Sequence, residues 1–372
     1  MRSHALVANS ASEPFSYEAV DLAAPGDHEV LVEIKGVGLC HTDLGAKSGM
    51  YGLPYPLVLG HEGSGVVREV GAAVTSLQVG DPVALSFSSC GSCRMCLGGH
   101  PAYCATFAQE NYIGTRPDGS ATMALADGNP LAGHFFGQSS FATFALANER
   151  NAVKVETALD ISLIGPLGCG IQTGAGAVMR SMAAHAGSSL LVLGGGSVGL
   201  AAVMGGVVQG CTTIVVLEPL ASRRELALEV GATAVVDPAA GPLAEVLVQA
   251  LPLGADYIFD TTGKVEVIMA ATEVAAPLAT VGLVGVPTDF SATLPLSIIG
   301  LMVKGLKVMG IVEGDSDPQT FIQELLDLQA AGRFPFEKLV STYSMADINH
   351  AVEDQERGRV AKVVLTPLDG SA

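Results

Sequence analysis

Four cysteines in a short run, Cys90, Cys93, Cys96 and Cys104 of CGSCRMCLGGHPAYC, constrain this chain more than any other stretch. The first three neighbours are two residues apart and the last pair seven apart. Such spacing lets the backbone wrap four thiolates around one tetrahedral ion, with metal–sulfur bonds of about 2.3 Å and no open position. A closed site of this kind holds a lobe together and does no chemistry. Of the seven cysteines, three remain: Cys40 in GLCHTD, Cys169 in PLGCGIQ, and Cys211. With His61 in LGHEGSG, Cys40 and Cys169 supply two thiolates and an imidazole from distant segments. That is the ligand set of a zinc whose fourth position stays open to water or substrate. Two zinc ions per chain are therefore expected, one structural and one catalytic. Cys211, just ahead of an apolar run, reads as a small buried residue.

At 372 residues the chain exceeds one ordinary core, and two domains are expected. Its formal net charge is −18 and it carries no basic run, which argues against a nucleic-acid partner. From Arg180 to Glu218 the text is apolar and holds no Asp, Glu, Lys or Arg between those two residues, like a membrane span. Gly194, Gly195, Gly196 and the Gly205–Gly206 pair would weaken a continuous helix there, so a buried strand–turn–helix–strand is the better reading and no membrane partner is expected. The first residues show no apolar stretch of a secretory signal, and thiols at metal-ligand spacing suit a reducing compartment; the cytoplasm is the expected location.

From Val30 to about Leu85 short alternating strands are broken by glycine (EVLVEIKGVG, SGVVREVG, VGDPVAL), which reads as a compact, mostly antiparallel barrel-like domain. Residues 105–137 are punctuated by Gly, Pro and Asp and read as an irregular excursion with short strands. After Cys169 apolar runs of strand length alternate with helical stretches about six times: SLLVL, TIVVLE, TAVVD, DYIFDTTG, ATVGLVG and KVMGIV. This is the pattern of a doubly wound parallel sheet. A helix from Pro318 and the strand AKVVLTP then return the chain to its first domain. The expected division is 1–169, 170–304 and 305–372.

LLVLGGGSVG places Gly194, Gly196 and Gly199 in G-x-G-x-x-G. With 45 glycines in the chain the pattern alone says little. Its context says more, because it follows an apolar strand, opens a helix, and is followed at the end of the next strand by Glu218. The first two glycines permit a tight turn and close backbone approach, the third lets helix and sheet pack, and the helix N-terminus faces a pyrophosphate. A carboxylate at Glu218 would accept from adenosine ribose hydroxyls and repel a 2′-phosphate. NAD is therefore expected over NADP, although Arg223 and Arg224 follow closely and Arg223 is counted among the cofactor-side residues.

Together these stretches (LCHTD, LGHEGSGVV, the four-cysteine lobe, LGCGIQTGAGAV and GGGSVGLAAV) resemble the zinc-dependent medium-chain alcohol dehydrogenases over most of the chain. PLGCGIQTGAGAVM, FDTTG and VEGDSDPQTFI look most like the aryl-alcohol (benzyl-alcohol) branch. The resemblance implies an α/β protein with a β-rich domain: a GroES-like barrel carrying the catalytic and structural zinc sites, and a Rossmann domain binding NAD. It implies that Cys40, His61 and Cys169 hold the catalytic zinc, that Asp43 orients His61, and that Glu62 lies beside the metal. Thr42 would hand the alcohol proton outward, Thr173 would touch the nicotinamide, and His41 and Lys362 would contact the pyrophosphate. The implied reaction is NAD-dependent oxidation of primary aryl or allylic alcohols to aldehydes, and the reverse, with an aliphatic or terpenoid alcohol as the alternative substrate and a non-catalytic nucleotide-binding paralogue as the alternative role. In much of the family an imidazole five residues after the first zinc thiolate completes the proton relay; in this chain that residue is Gly45, so water or His41 must serve. Phe87, Phe135, Phe136, Tyr51 and Met50 are candidates to line an aryl-sized pocket. Glu313 and Asp315 read as loop residues. The length of the segment between Cys104 and Phe141 resembles that of dimeric members, so a homodimer is expected over a tetramer.

Overall fold

The computed structural model describes residues 1–368. In chain order it contains β1 (Arg2–Ala8), β2 (Ser16–Leu22), β3 (Glu29–Gly38), α1 (His41–Lys47), β4 (Leu57–Val58), β5 (Gly63–Val70), β6 (Pro82–Leu85), α2 (Arg94–Leu97), α3 (Phe107–Asn111), β7 (Met123–Leu125), β8 (Pro130–Leu131), β9 (Phe144–Asn148) and β10 (Ala152–Lys154). There follow α4 (Gly170–Gly176), β11 (Ser189–Leu193), α5 (Ser197–Gln209), β12 (Thr213–Leu217), α6 (Ala221–Glu229), β13 (Ala234–Val236), α7 (Leu243–Ala250), β14 (Ala255–Asp260), α8 (Val265–Glu273), β15 (Ala275–Leu283), α9 (Ile298–Lys304) and β16 (Lys307–Gly310). The tail adds α10 (Pro318–Ala330), β17 (Val340–Ser344), α11 (Ile348–Glu356) and β18 (Lys362–Thr366). No helix among the described residues is long and apolar enough to cross a membrane.

The chain divides into two compact units. The first takes Met1–Cys169, Asp317–Ala330 and the chain from Val340 onward; the second takes Gly170–Ser316 and Ala331–Leu339. The return to the first unit thus falls at Asp317, later than the expected 305. The reason is that Lys307–Gly310, lying beyond residue 304, pairs in parallel with β15 as the last strand of the second unit's sheet.

In the first unit a seven-stranded sheet runs β10-β6-β5-β3-β18-β17, with β9 also on β3, and a five-stranded sheet runs β4-β1-β2-β7-β8. Pairing is antiparallel throughout except between β17 and β18. Inward residues such as Val32, Ile34, Val37, Val67, Leu85, Leu146 and Val363 form one buried cluster. Two registers position the thiol and imidazole segments. Val37 pairs with Gly63, so the chain leaving β3 runs beside the chain entering β5. Val364 pairs with Gly38, which sets the start of β18 against the same end of β3.

The second unit is a six-stranded parallel sheet in the order β13-β12-β11-β14-β15-β16. Its central strands are continuous apolar runs because helices cover both faces. The order reverses between β11 and β14, the crevice where doubly wound sheets take ligands at the carboxyl ends of their strands. Leu191, on β11, is fully buried among Leu217, Ile258 and Val281. Leu191→Ala should lower unfolding free energy by about 2–5 kcal/mol in a guanidinium titration. A loss below about 1 kcal/mol would contradict this packing.

Candidate metal centre and coenzyme turn

The end of β3 delivers Cys40 as the N-cap of α1, and the turn into β5 delivers His61 and Glu62. Cys169 follows the tight turn Gly165–Gly168. One ligand atom from each of Cys40, His61, Glu62 and Cys169 lies within 4.8 Å of all the others. The local backbone has reasons for this arrangement. Gly38 N–H donates to the Glu62 carbonyl (2.9 Å), clamping the ends of the two strands. Gly60 has φ +88°, and any Cβ there would press into Phe141.

A single carboxylate sets two of the ligands. Asp43, fully buried, accepts at Oδ1 from His61 Nδ1 (2.9 Å) and from Gly60 N–H (3.0 Å), and at Oδ2 from the Cys40 N–H (3.0 Å). Because a carboxylate only accepts, the His61 proton sits on Nδ1 and the Nε2 lone pair points the other way. That Nε2 is buried and makes no hydrogen bond. An orphaned imidazole nitrogen facing two sulfurs is what a soft divalent ion would satisfy, so the residues fit a zinc. The electrostatics agree. Cys169 beside it, helped by His61 and Lys362 against the cost of burial, holds the Cys40 thiol well below its usual range. Burial would depress His61, but Asp43 and Cys40 outweigh it and raise the imidazole well above its ordinary value.

Two groups beneath the site were invisible to sequence reasoning. Gln138 is fully buried, donating from Nε2 to the carbonyls of His61 (2.9 Å) and Ser86 (3.0 Å) and accepting at Oε1 from Gly63 N–H (3.1 Å) and Ser140 Oγ (2.9 Å). Ser86 Oγ in turn donates to the Gly168 carbonyl (2.6 Å), next to Cys169. This polar brace ties the segment bearing His61 to the segment bearing Cys169. The lone signal for it was a glutamine stranded between two apolar stretches. Phe136 (φ +52°) and Ser139 (φ +48°) flank it in strained backbone.

Rings pack over the imidazole. Phe135 meets His61 edge-on at 5.6 Å between centroids and Phe136 lies at 4.6 Å. Tyr112 touches both phenylalanines (6.2 and 5.2 Å) and Tyr51 (5.0 Å), while Phe107 joins Phe87 (5.8 Å) to Phe136 (6.3 Å). Phe107 and Tyr112 come from the stretch that read as an irregular excursion. Met50 is 38% exposed, and its sulfur and the Tyr51 ring line Gly45, where a Cβ would meet them at 3.3 and 3.6 Å.

Thr42 Oγ1 lies 3.7 Å from Cys40 Sγ, and His41 is the exposed first residue of α1. Lys362, expected from the resemblance at the pyrophosphate, is engaged within the first unit. It is 1% exposed, its Nζ 2.5 Å from Glu62 Oε2 and donating to the Leu39 carbonyl at 3.0 Å, because the β18–β3 register carries it under the metal cluster. Cys211 is half-buried against Ser188 Oγ (3.4 Å) rather than fully enclosed.

The second cluster is as the spacing required. The sulfurs of Cys90, Cys93, Cys96 and Cys104 lie mutually within 4.8 Å. Cys93 and Cys96 sulfurs are 3.5 Å apart, well beyond disulfide length. Backbone N–H groups of Cys90 and Ala105 point at Cys104 and Cys93 sulfurs (3.3 and 3.4 Å). Backbone donors draw Cys90 down to about 6, whereas burial and the neighbouring Cys93 push Cys96 up to about 12. Four thiols that cannot all ionise unaided suit a closed four-thiolate zinc.

In the second unit the glycine turn forms a bare cradle. Gly194 has φ +98°, and a Cβ on Gly199 would collide with the Gly194 carbonyl, so strand and helix α5 meet through backbone alone. A Cβ at Gly196, the N-cap of α5, would meet nothing within 4 Å, leaving open space at the helix N-terminus where a pyrophosphate fits. Glu218, at the end of β12, accepts from Gly195 N–H (2.7 Å) and Leu220 N–H (2.8 Å), which aims it at this turn. Arg224 is engaged by Asp237 (3.0 Å), and Arg223 is half-buried on α6. Thr173, on α4, donates to Glu313 Oε2 (3.3 Å).

Residues 26–157 match the family model for the alcohol dehydrogenase GroES-like domain and residues 197–331 that for zinc-binding dehydrogenases. The chain is 46% identical over 363 residues to a geraniol dehydrogenase of Castellaniella defragrans, spanning 97% of this chain and 96% of that one. Among solved structures it is similar to an alcohol dehydrogenase zinc-binding domain protein from Burkholderia ambifaria (TM-score 0.96, 43% identity, 98% and 99% of the two chains). It is also similar to a benzyl alcohol dehydrogenase from Acinetobacter calcoaceticus (TM-score 0.94, 36% identity, 99% and 100%).

If Gln138 braces the ligand segments, Gln138→Leu should weaken zinc at the Cys40–His61–Cys169 centre by about 10- to 100-fold in chelator competition, leaving the four-thiolate site loaded. Equal loss from both sites would mean general unfolding, and no loss would show that Gln138 braces nothing.

Proposed function

The chain belongs to the zinc-dependent medium-chain alcohol dehydrogenases, and from that premise we propose that it interconverts primary allylic or aryl alcohols and their aldehydes using NAD. The observation that supports the substrate class is the aromatic cluster beside the metal site, with Phe135 and Phe136 packed on the His61 imidazole and Phe107 and Tyr112 packed on Phe136. Flat π faces favour a flat partner, by about 0.5–1.5 kcal/mol beyond area burial per ring contact. Geraniol and benzyl alcohol, named in two relatives, are both primary alcohols whose carbinol carbon adjoins an unsaturated carbon.

Cys40, His61 and Cys169 would hold the catalytic zinc, and Cys90, Cys93, Cys96 and Cys104 the structural one. Bound zinc supplies Lewis acidity that favours loss of the alcohol proton, and the nicotinamide accepts the hydride. The chain's own residues do the rest. Asp43 keeps the His61 ring in one tautomer and orientation. The Thr42 hydroxyl takes the departing proton; with glycine at 45, water or His41 passes it on. Phe135 and Phe136 exclude water from the face of His61. Glu218 favours NAD over NADP through the ribose hydroxyls.

Free thiols throughout the chain support a cytoplasmic location. Exposed Ile298, Ile299, Met302 and Val303 on α9, beside the edge strand β16, support a homodimer.

Steady-state kinetics with benzylic, allylic and saturated alcohols of matched length should show kcat/KM at least about tenfold higher for the unsaturated classes, and higher with NAD than with NADP. Equal rates on saturated alcohols would favour an aliphatic enzyme, and tenfold better efficiency with NADP would overturn the coenzyme preference. Thr42→Ala should slow oxidation by about 10²-fold, and His41→Gln by less. The reverse order would discredit the relay.

A further inference from the structure

The left-handed turn that seats Phe136 is held by a residue that takes no part in the chemistry described above. Phe136 has φ +52° and ψ +33°, and Gly137 follows at φ +66°. Glycine adopts this region freely, whereas a bulky aromatic residue is strained there and stays only when its surroundings enforce it. Asn151 supplies that enforcement. Its Nδ2 lies 3.3 Å from each of the carbonyl oxygens of Phe136, Gly137 and Ser86 and donates toward all three. A Cβ at Gly137 would crowd this Nδ2 at 3.1 Å and the Ser88 Cβ at 3.0 Å, so glycine at 137 admits the amide.

Asn151 is fully buried, and the sheet fixes its backbone. Its N–H donates to the Asn148 carbonyl (3.0 Å), its carbonyl accepts from Ser86 N–H (2.9 Å), and the next residue, Ala152, pairs with Leu85. The orientation of the amide follows from its surroundings. Turned over, Oδ1 would face three carbonyl oxygens and find no proton. As it stands, Oδ1 is buried and meets no donor among the described residues. An amide with an unpaired oxygen costs stability, so its two protons are the side that the fold uses. They hold the backbone of the residue whose ring lies 4.6 Å from His61 and also meets Tyr112 (5.2 Å) and Phe107 (6.3 Å). Gln138 braces the segments that carry metal ligands; Asn151 serves the aromatic side of the same imidazole.

We propose that Asn151 is a positioning residue for substrate selection: by holding the Phe136 and Gly137 carbonyls it keeps Phe136 left-handed with its ring on His61, and this sets the preference for a flat alcohol over a saturated one. This rests on the reading of the aromatic cluster as the surroundings of the substrate. Without the amide, Phe136 relaxes toward negative φ and its ring leaves the imidazole. A flat substrate then loses a stacking partner that a saturated one never used. Asn151 is itself enclosed and acts only through Phe136.

The test uses the full-length zinc-loaded protein with benzyl alcohol and cyclohexylmethanol, which share a carbon skeleton and differ in whether the ring is flat. Asn151→Ala should lower the ratio of their kcat/KM values by about two- to tenfold, with both zinc ions and NAD+ affinity retained. In a Phe136→Ala background the same substitution should leave the ratio within about twofold. A merely structural residue would slow both alcohols alike; an unchanged ratio, or a further fall in the Phe136→Ala background, overturns the proposal. If the alanine variant does not fold, Asn151→Ser carries the test through its melting temperature. Its loss should be at least about halved when Phe136→Gly, which takes positive φ without strain, is also present, and an equal loss in both backgrounds overturns the coupling. A wild-type protein that prefers benzyl alcohol, with a variant that keeps that preference, overturns this role alone. A wild-type protein that treats the two alcohols alike overturns the substrate-class reading as well.

Discussion

Asp43 uses both carboxylate oxygens within the first unit, and the geometry of the metal centre depends on that use. One oxygen holds the His61 ring and the Gly60 amide, and the other closes the N-terminus of α1 through the Cys40 amide. The same group thus caps a helix and sets two ligands that lie far apart along the chain. Its place matters, since a buried carboxylate only accepts, so three donors converge on it and the imidazole proton is kept on Nδ1, the nitrogen that faces it. The α1 cap and the ligand tautomer are therefore one structural decision, made by the residue at the third position of the helix.

Around that point the first unit arranges charge in layers. Two sulfurs and an imidazole nitrogen converge; behind them stand the Glu62–Lys362 ion pair and the Gln138–Ser86 brace. An ion pair this deep is weak evidence for stability, because desolvation offsets the Coulomb gain. It makes more sense as control of net charge beside a site whose ligands lose and gain protons with the metal. On the other side the rings of Phe135 and Phe136 pack against the fully buried His61. Polar support and apolar cover meet at the same imidazole.

Sequence and structure agree most closely where few residue types can do the job. Four thiols at metal-ligand spacing have few other uses, so that cluster was legible from spacing, whereas Cys40, His61 and Cys169 come from distant segments and were legible from residue type and family resemblance together. The six apolar runs after Cys169 became the six parallel strands, and the glycine turn was legible from its place between a strand and a helix. What escaped depends on long-range register. Nothing near Lys362 in the sequence announces its ion pair with Glu62; pairing β18 with β3 puts its amine on the Leu39 carbonyl. Phe107 and Tyr112 sit in a stretch without periodicity, and only the closure of that segment brings them to Phe136. The inward turn of Glu313 is held by Gly314 and Gly176 from two elements, a contact that no local pattern announces. The late boundary at Asp317 has the same origin, since the strand Lys307–Gly310 joins the sheet by pairing with β15.

Zinc content combined with X-ray absorption at the zinc edge, on native protein and on Asp43→Ala, tests the central claim most directly. Two ions per native chain are expected, with about three sulfur neighbours on average, and in the variant one ion with four. A native protein carrying a single all-sulfur zinc, or a variant that keeps both ions with the native spectrum, would contradict the role of Asp43 as the buried carboxylate that sets the metal centre.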